Sequence, residues 1–192
     1  MADLRVRHGT YYKGAMLERR FSFFTGRNSR IALYWIIVIL VVIVDQATKA
    51  AAREVYENAP EVLIPGIVNL VHVENTGAAF SMGEGATLLF IVVAIAFVSG
   101  ATYLVWSEST LPLGLVPPIA LVAGGGLGNL IDRIMKGSVT DFFATAFMDF
   151  PVFNVADICV TVGIVLSVVG YWTWESKREV QEAGAIDEQG NV

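Results

Sequence analysis

The chain has 192 residues, 55% of them hydrophobic and 16% charged, with a mean hydropathy of +0.60. A soluble domain of this length carries about a quarter charged residues, so the composition argues for one integral membrane domain instead. The net charge of −5 averages a basic head and an acidic tail, and the lack of a basic patch elsewhere speaks against nucleic-acid binding.

The first 30 residues are polar and basic, with Arg5, Arg7, Lys13, Arg19, Arg20, Arg27 and Arg30 against Asp3 and Glu18. The positive-inside rule makes this head cytoplasmic. A first span is expected over about 31–52. Its purely apolar part, 31–44, is short for a bilayer, and extension through DQATKAAA solves the length. That extension brings in Asp45 and Lys49, four apart and so on one helix face, where a structural ion pair is the simplest reading. No small-residue cleavage site follows the run, so a cleavable signal peptide is not expected.

Residues 53–85 form the longest connection. Short β-prone runs around a Pro65-Gly66 turn predict a small sheet over 61–73, lying on the membrane surface. Asn75 and Gly77 suit a tight backbone path, or serve simply as turn residues. The second span, about 86–106, carries no charge. The third, about 111–134, has Pro117 and Pro118 near its start and a GxxxG pair, Gly124 and Gly128, that lets a neighbouring helix come close. A phosphate loop would need GxxxxGK[ST], which is missing. The fourth span, about 156–174, ends in the interfacial pair Trp172 and Trp174. An acidic tail over 175–192 is expected to be disordered.

Four spans put both termini on the cytoplasmic side. Asp45 and Lys49, Asn75, the Asn129–Asp132–Arg133 group, Asp141, and Asn154 with Asp157 then all fall at the other side. Two carboxylates close together cannot both ionise cheaply, so Asp141 and Asp157 could share a proton, one activating water and the other polarising a carbonyl. Other readings stand beside this one. Asn154-Val-Ala-Asp157 has the spacing of a helix cap, and Ser138-Val-Thr-Asp141 has the same spacing. Asp132-Arg133 could be a local ion pair. Acidic residues near spans also mark ion pathways, so a proton-coupled carrier is a rival, as is a scaffold with polar caps. Ser81 with Lys49 makes a weaker protease pair, because Lys49 already has Asp45 nearby. The single cysteine, Cys159, permits no internal disulfide and reads as a packing residue. His8 and His72 are far apart and no HExxH occurs, so neither a metal nor a cofactor is expected.

Five blocks in order, DQATK (45–49), NTGAAF (75–80), GGGLGNLIDR (124–133), GSVTDF (137–142) and FNVAD (153–157), make the chain resemble the bacterial lipoprotein signal peptidases, the type II signal peptidases. The resemblance covers roughly 31–174. It implies an all-α membrane protein of four transmembrane helices with a small extracytoplasmic β-sheet. It implies further an aspartyl endopeptidase of the bacterial cell membrane, without cofactor or metal. Its partners would be membrane lipid and a prolipoprotein carrying diacylglycerol on a cysteine, cut just before that cysteine. Asp141 and Asp157 match the family's catalytic pair. Asp45, Lys49, Asn75, Gly77, Asn129, Asp132, Arg133, Asn154 and Ala156, all inside the matching blocks, would bind substrate or support the site. A monomer is expected, with no nucleic-acid partner.

Overall fold

The computed structural model of the chain describes residues 26–55, 60–77 and 86–190, with side chains described to Glu179. The expectations for the basic head before Gly26, for Ser81 and for the rest of the NTGAAF block lie outside the described residues.

Among the described residues, four helices are long and apolar enough to cross a membrane. They are α1 (Arg27–Val55), α2 (Thr87–Ser107), α3 (Val116–Lys136) and α4 (Val155–Gly190). α2 shows how the bilayer shapes such helices. It is apolar all round, Val105 is its only buried residue, and Leu88 is 74% exposed. Such a surface is stable only against lipid. Local chemistry sets both ends of α3. Pro117 and Pro118 occupy the first turn of α3, where their missing N–H groups cost nothing. Gly137 closes α3 with φ 81°, a left-handed cap that glycine adopts without strain. α4 continues to Gly190, so the tail expected to be disordered is helical over most of its length. Its Glu, Lys, Arg, Gln and Ala residues have high helix propensity and extend a helix already nucleated in the span.

α3 is the central helix, with α1, α2 and α4 all packed on it. Glycines make the approach possible. A Cβ on Gly124 would lie 2.8 Å from Val41 Cβ, and one on Gly128 would lie 2.4 Å from Asp45 Oδ2, so the GxxxG pair faces α1. Gly125, on a different side, would place its Cβ 2.4 Å from the Ala156 carbonyl oxygen of α4. At the far end, buried Arg30 of α1 donates to the carbonyls of Glu108, Ser109 and Leu111. It thereby satisfies backbone acceptors of the connection between α2 and α3.

Three antiparallel strands form one sheet in the order β1 (Glu61–Ile64), β2 (Val68–Asn75), β3 (Val139–Thr145). The first two lie where the β-prone runs predict a sheet. The third was not expected, and it carries Asp141. The cap-like reading of Ser138-Val-Thr-Asp141 is therefore corrected, because this segment pairs with β2, Val73 opposite Asp141 and Asn75 opposite Val139. Phe142 and Leu70 pack on Ala52 and seat the sheet against the end of α1. A bridge between Phe143 and Phe153 then returns the chain to the start of α4.

Candidate active site

The ends of α3 and α4 and the β2–β3 pair enclose a cavity of about 530 Å³. Its polar side is built from Asn75, Gly77, Asn129, Arg133, Asp141 and Asp157, and its apolar side includes Phe150, Phe153, Ile158 and Val162. Each polar side chain arrives for a local reason. Pairing of β3 with β2 sets Asp141 near Asn75, whose Nδ2 donates to Asp141 Oδ2 at 2.9 Å. The Asn75 Oδ1 accepts the Gly77 N–H at 2.9 Å, an Asx turn that fixes the amide. The Gly77 carbonyl in turn accepts from Arg133, whose guanidinium lies 5.1 Å from the Phe90 ring.

Asp157 stands on the first turn of α4 through a reciprocal cap. The Asn154 N–H donates to Asp157 Oδ2 at 3.1 Å, and the Asp157 N–H donates to Asn154 Oδ1 at 3.0 Å. The cap spacing seen in the sequence is thus a real cap, and it leaves Asp157 facing the cavity all the same. Because the Asn154 oxygen is committed to the cap, its Nδ2 is free to donate, and it does so to Asp141 Oδ1 at 2.7 Å. One asparagine therefore ties the two carboxylates together. Asn129 adds a second hold on Asp157, donating to its Oδ1 at 2.8 Å.

Burial and charge act unequally on the pair. Asp141 is 2% exposed, whereas Asp157 is half-buried. Loss of water pushes the Asp141 carboxyl up to about 6, and the Asp157 charge pushes the same way against donors from Asn75 and Asn154 and the more distant Lys49.

Asp45, Lys49, Asp132 and Ala156 are not in the cavity wall but behind it. Lys49, fully buried, pairs with Asp45 at 2.9 Å and Asp132 at 3.3 Å. Asp45 also accepts the Ala156 N–H at 3.0 Å, pinning the first turn of α4 to α1. The i,i+4 ion pair read from the sequence is present, with Asp132 as a further partner. Asp132 and Arg133 do not pair with each other, because successive helix positions diverge. Asp132 faces Lys49, Lys136 and Arg53, and Arg133 faces Gly77.

Sequence reasoning missed Thr140, which is fully buried and links several charges. Its N–H donates to Asp132, its hydroxyl donates to Glu74 and accepts from Arg53. The signal was strand alternation: next to Asp141 in β3, Thr140 must face the opposite way. Gln46 was missed too; it donates to Asp45 and to the Gly128 carbonyl. Among the described residues, no three His, Cys, Asp or Glu side chains gather as metal ligands.

Comparison with known proteins identifies the family. The family model described as signal peptidase (SPase) II matches residues 37–173. The lipoprotein signal peptidase of Caldicellulosiruptor bescii is 40% identical over 134 residues, covering 70% of this chain and 87% of that one. That of Symbiobacterium thermophilum is 46% identical over 136 residues, covering 68% and 88%. A solved bacterial membrane enzyme, 31% identical, superposes with a TM-score of 0.69 over 75% of this chain and 90% of its own. With five sequence blocks, a four-helix membrane fold and more than half its length matched, the chain belongs to the signal peptidase II family.

Proposed function

We propose that this protein removes the signal peptide from prolipoproteins that carry diacylglycerol on a cysteine, cutting just before that residue with Asp141 and Asp157. Asp157 takes the proton of an attacking water. Asp141, the deeper acid, keeps its proton until it donates it to the scissile carbonyl oxygen; in the second half Asp157 passes the proton it took from water to the leaving amine while Asp141 recovers one from the gem-diol hydroxyl. A shared proton suits this chemistry, because each carboxyl does the opposite task in the second half of the reaction. Asn75 and Asn154 hold Asp141 from two sides, and the α4 cap with Asn129 holds Asp157. Positioning of this kind lowers the entropy cost of bringing water, carbonyl and acids together.

The observation that carries the reading is the Asn154 tie: one residue caps Asp157 and donates to Asp141 beside a single cavity. Apolar walls from Ile158 and Val162 of α4 suit a substrate whose signal helix and acyl chains stay in the bilayer. The site then lies at the extracytoplasmic rim of the cell membrane, both termini are cytoplasmic, and the protein works as a monomer. Asn75, Gly77 and Arg133 contact the substrate, while Asp45, Lys49, Asn129, Asp132, Asn154 and Ala156 support the acids.

The test is cleavage of a diacylglyceryl-modified precursor by purified protein in lipid. Wild type should cut before the lipidated cysteine, and Asp141→Asn and Asp157→Asn should each lower the rate about 10²- to 10⁴-fold. Full cleavage by either variant would refute the pair. Absence of cleavage together with pH-dependent proton flux would favour a carrier instead.

A further inference from the structure

Lys49 is completely buried, yet it does not reach the cavity that holds the two acids. An ammonium has three donors and no acceptor. Here the three go to Asp45 Oδ2 at 2.9 Å, Asp132 Oδ2 at 3.3 Å and Asn129 Oδ1 at 2.7 Å. The two carboxylates account for its charge. The third bond has a different consequence. A carboxamide has one oxygen end and one nitrogen end, and turning it by half a revolution exchanges them. Because Lys49 can only donate, it fixes the Asn129 oxygen on its own side. The Asn154 Nδ2 donates to the same oxygen at 3.1 Å. The Asn129 nitrogen must then point the other way, where it donates to Asp157 Oδ1 at 2.8 Å.

We propose that Lys49 is a positioning residue for Asp157, acting through the carboxamide of Asn129. Its grip on the amide oxygen commits the amide nitrogen to the Asp157 carboxylate and keeps that carboxylate aimed into the cavity. The same helix turn of α1 secures the backbone side of Asp157, since Asp45 accepts the Ala156 N–H. α1 thus holds α4's acid at two points, one through the main chain and one through an oriented amide. Asp141 takes its direct hydrogen bonds from Asn75 and Asn154 instead. The charged groups acting on Asp157 are Asp141 from β3 and Arg133 from α3, with Lys49 of α1 behind Asn129.

This inference rests on the reading of Asp157 as a catalytic acid, and Asp157→Asn is therefore the control. If that variant still cleaves, the catalytic reading itself is wrong. With an inactive control, Lys49→Met and Asn129→Asp are measured against wild type across pH. In Lys49→Met the amide loses its anchor. In Asn129→Asp the buried ammonium keeps an oxygen partner, so this variant guards against a folding failure of the first. Both should lose about 10- to 100-fold in kcat with KM changed only a few-fold. Both should also move the acidic limb of the pH–rate profile to higher pH, because the ionised acid pair has lost an N–H donor. In an Asn129→Ala background, Lys49→Met should cost no more than a further few-fold, since the path it acts through is gone. An unmoved acidic limb in Asn129→Asp, or an undiminished cost of Lys49→Met in the Asn129→Ala background, would overturn the proposal.

Discussion

Asp141 gains its poise at a cost in stability. Its folded carboxyl titrates near 6, above the ordinary carboxylate range, so the folded state is favoured while this group is protonated. That contribution is present at low pH and is lost as pH rises through about 6, an effect on the order of 3 kcal/mol. Denaturant unfolding in detergent should therefore show stability falling from about pH 4 to about pH 6 and levelling off above that, and Asp141→Asn should flatten that slope while removing activity. Asn75 permits a kinetic check on the same atom. It donates to the ionised form and so lowers the Asp141 titration. Asn75→Ala should raise it, moving the alkaline limb of kcat/KM to higher pH, because the singly protonated pair then survives further. An alkaline limb that stays in place would mean that Asp141 does not set it. The two limbs belong to the pair as a whole. Even so, removing donors on the Asp141 side and on the Asp157 side should displace opposite limbs.

The elements meet through α3, and its glycines decide how closely. At Gly125 a methyl group would run into the Ala156 carbonyl and Val160 of α4, both within 2.8 Å. Gly125→Ala should push α4 outward, cost about 1–3 kcal/mol of stability and disturb Asp157, the residue next to Ala156. Gly100→Ala on α2, where nothing lies within 4 Å, should leave stability unchanged or slightly higher. Thermal unfolding of the two variants in the same detergent separates these outcomes. The helices were legible in the sequence because a bilayer imposes one simple rule on length and polarity. The β1–β2 hairpin was legible because Pro65-Gly66 marks its turn, and Gly66 indeed has φ 73°. β3 was not, since the strand it pairs with, β2, lies more than 60 residues earlier, and no turn announces the pairing. Asp141 and Asp157 were found as polar residues beside apolar runs. Thr140, Gln46 and the division of labour between cavity wall and buried support depend on which way each side chain faces, and that is settled only by the packed helices.

On the scale of the whole molecule, the charges are divided between two ends. Asp45, Glu74, Asp132, Asp141 and Asp157 neutralise Lys49, Arg53, Arg133 and Lys136 at the end that carries the cavity. At the other end lie Arg27, Arg30, Lys177 and Arg178, with the rest of the basic head preceding them in the chain. Arg27 and Arg178 there sit over Trp106 and Trp174, cations stacked on the kind of aromatic ring that is enriched at membrane interfaces. This asymmetry in lysine and arginine is the physical basis for the proposed orientation. α4 adds a measure of depth: 36 residues span about 54 Å, well beyond a hydrocarbon core of about 30 Å, so its final turns stand clear of the bilayer. Two exposed positions test the sidedness directly in a Cys159→Ala background. Ser109→Cys lies in the connection between α2 and α3, and Phe147→Cys lies just beyond β3. In intact cells with an accessible outer face, a membrane-impermeant maleimide should label Phe147→Cys and leave Ser109→Cys unlabelled until the membrane is opened. The reverse pattern would place the two acids in the cytoplasm, where a secreted lipoprotein precursor does not present its cleavage site.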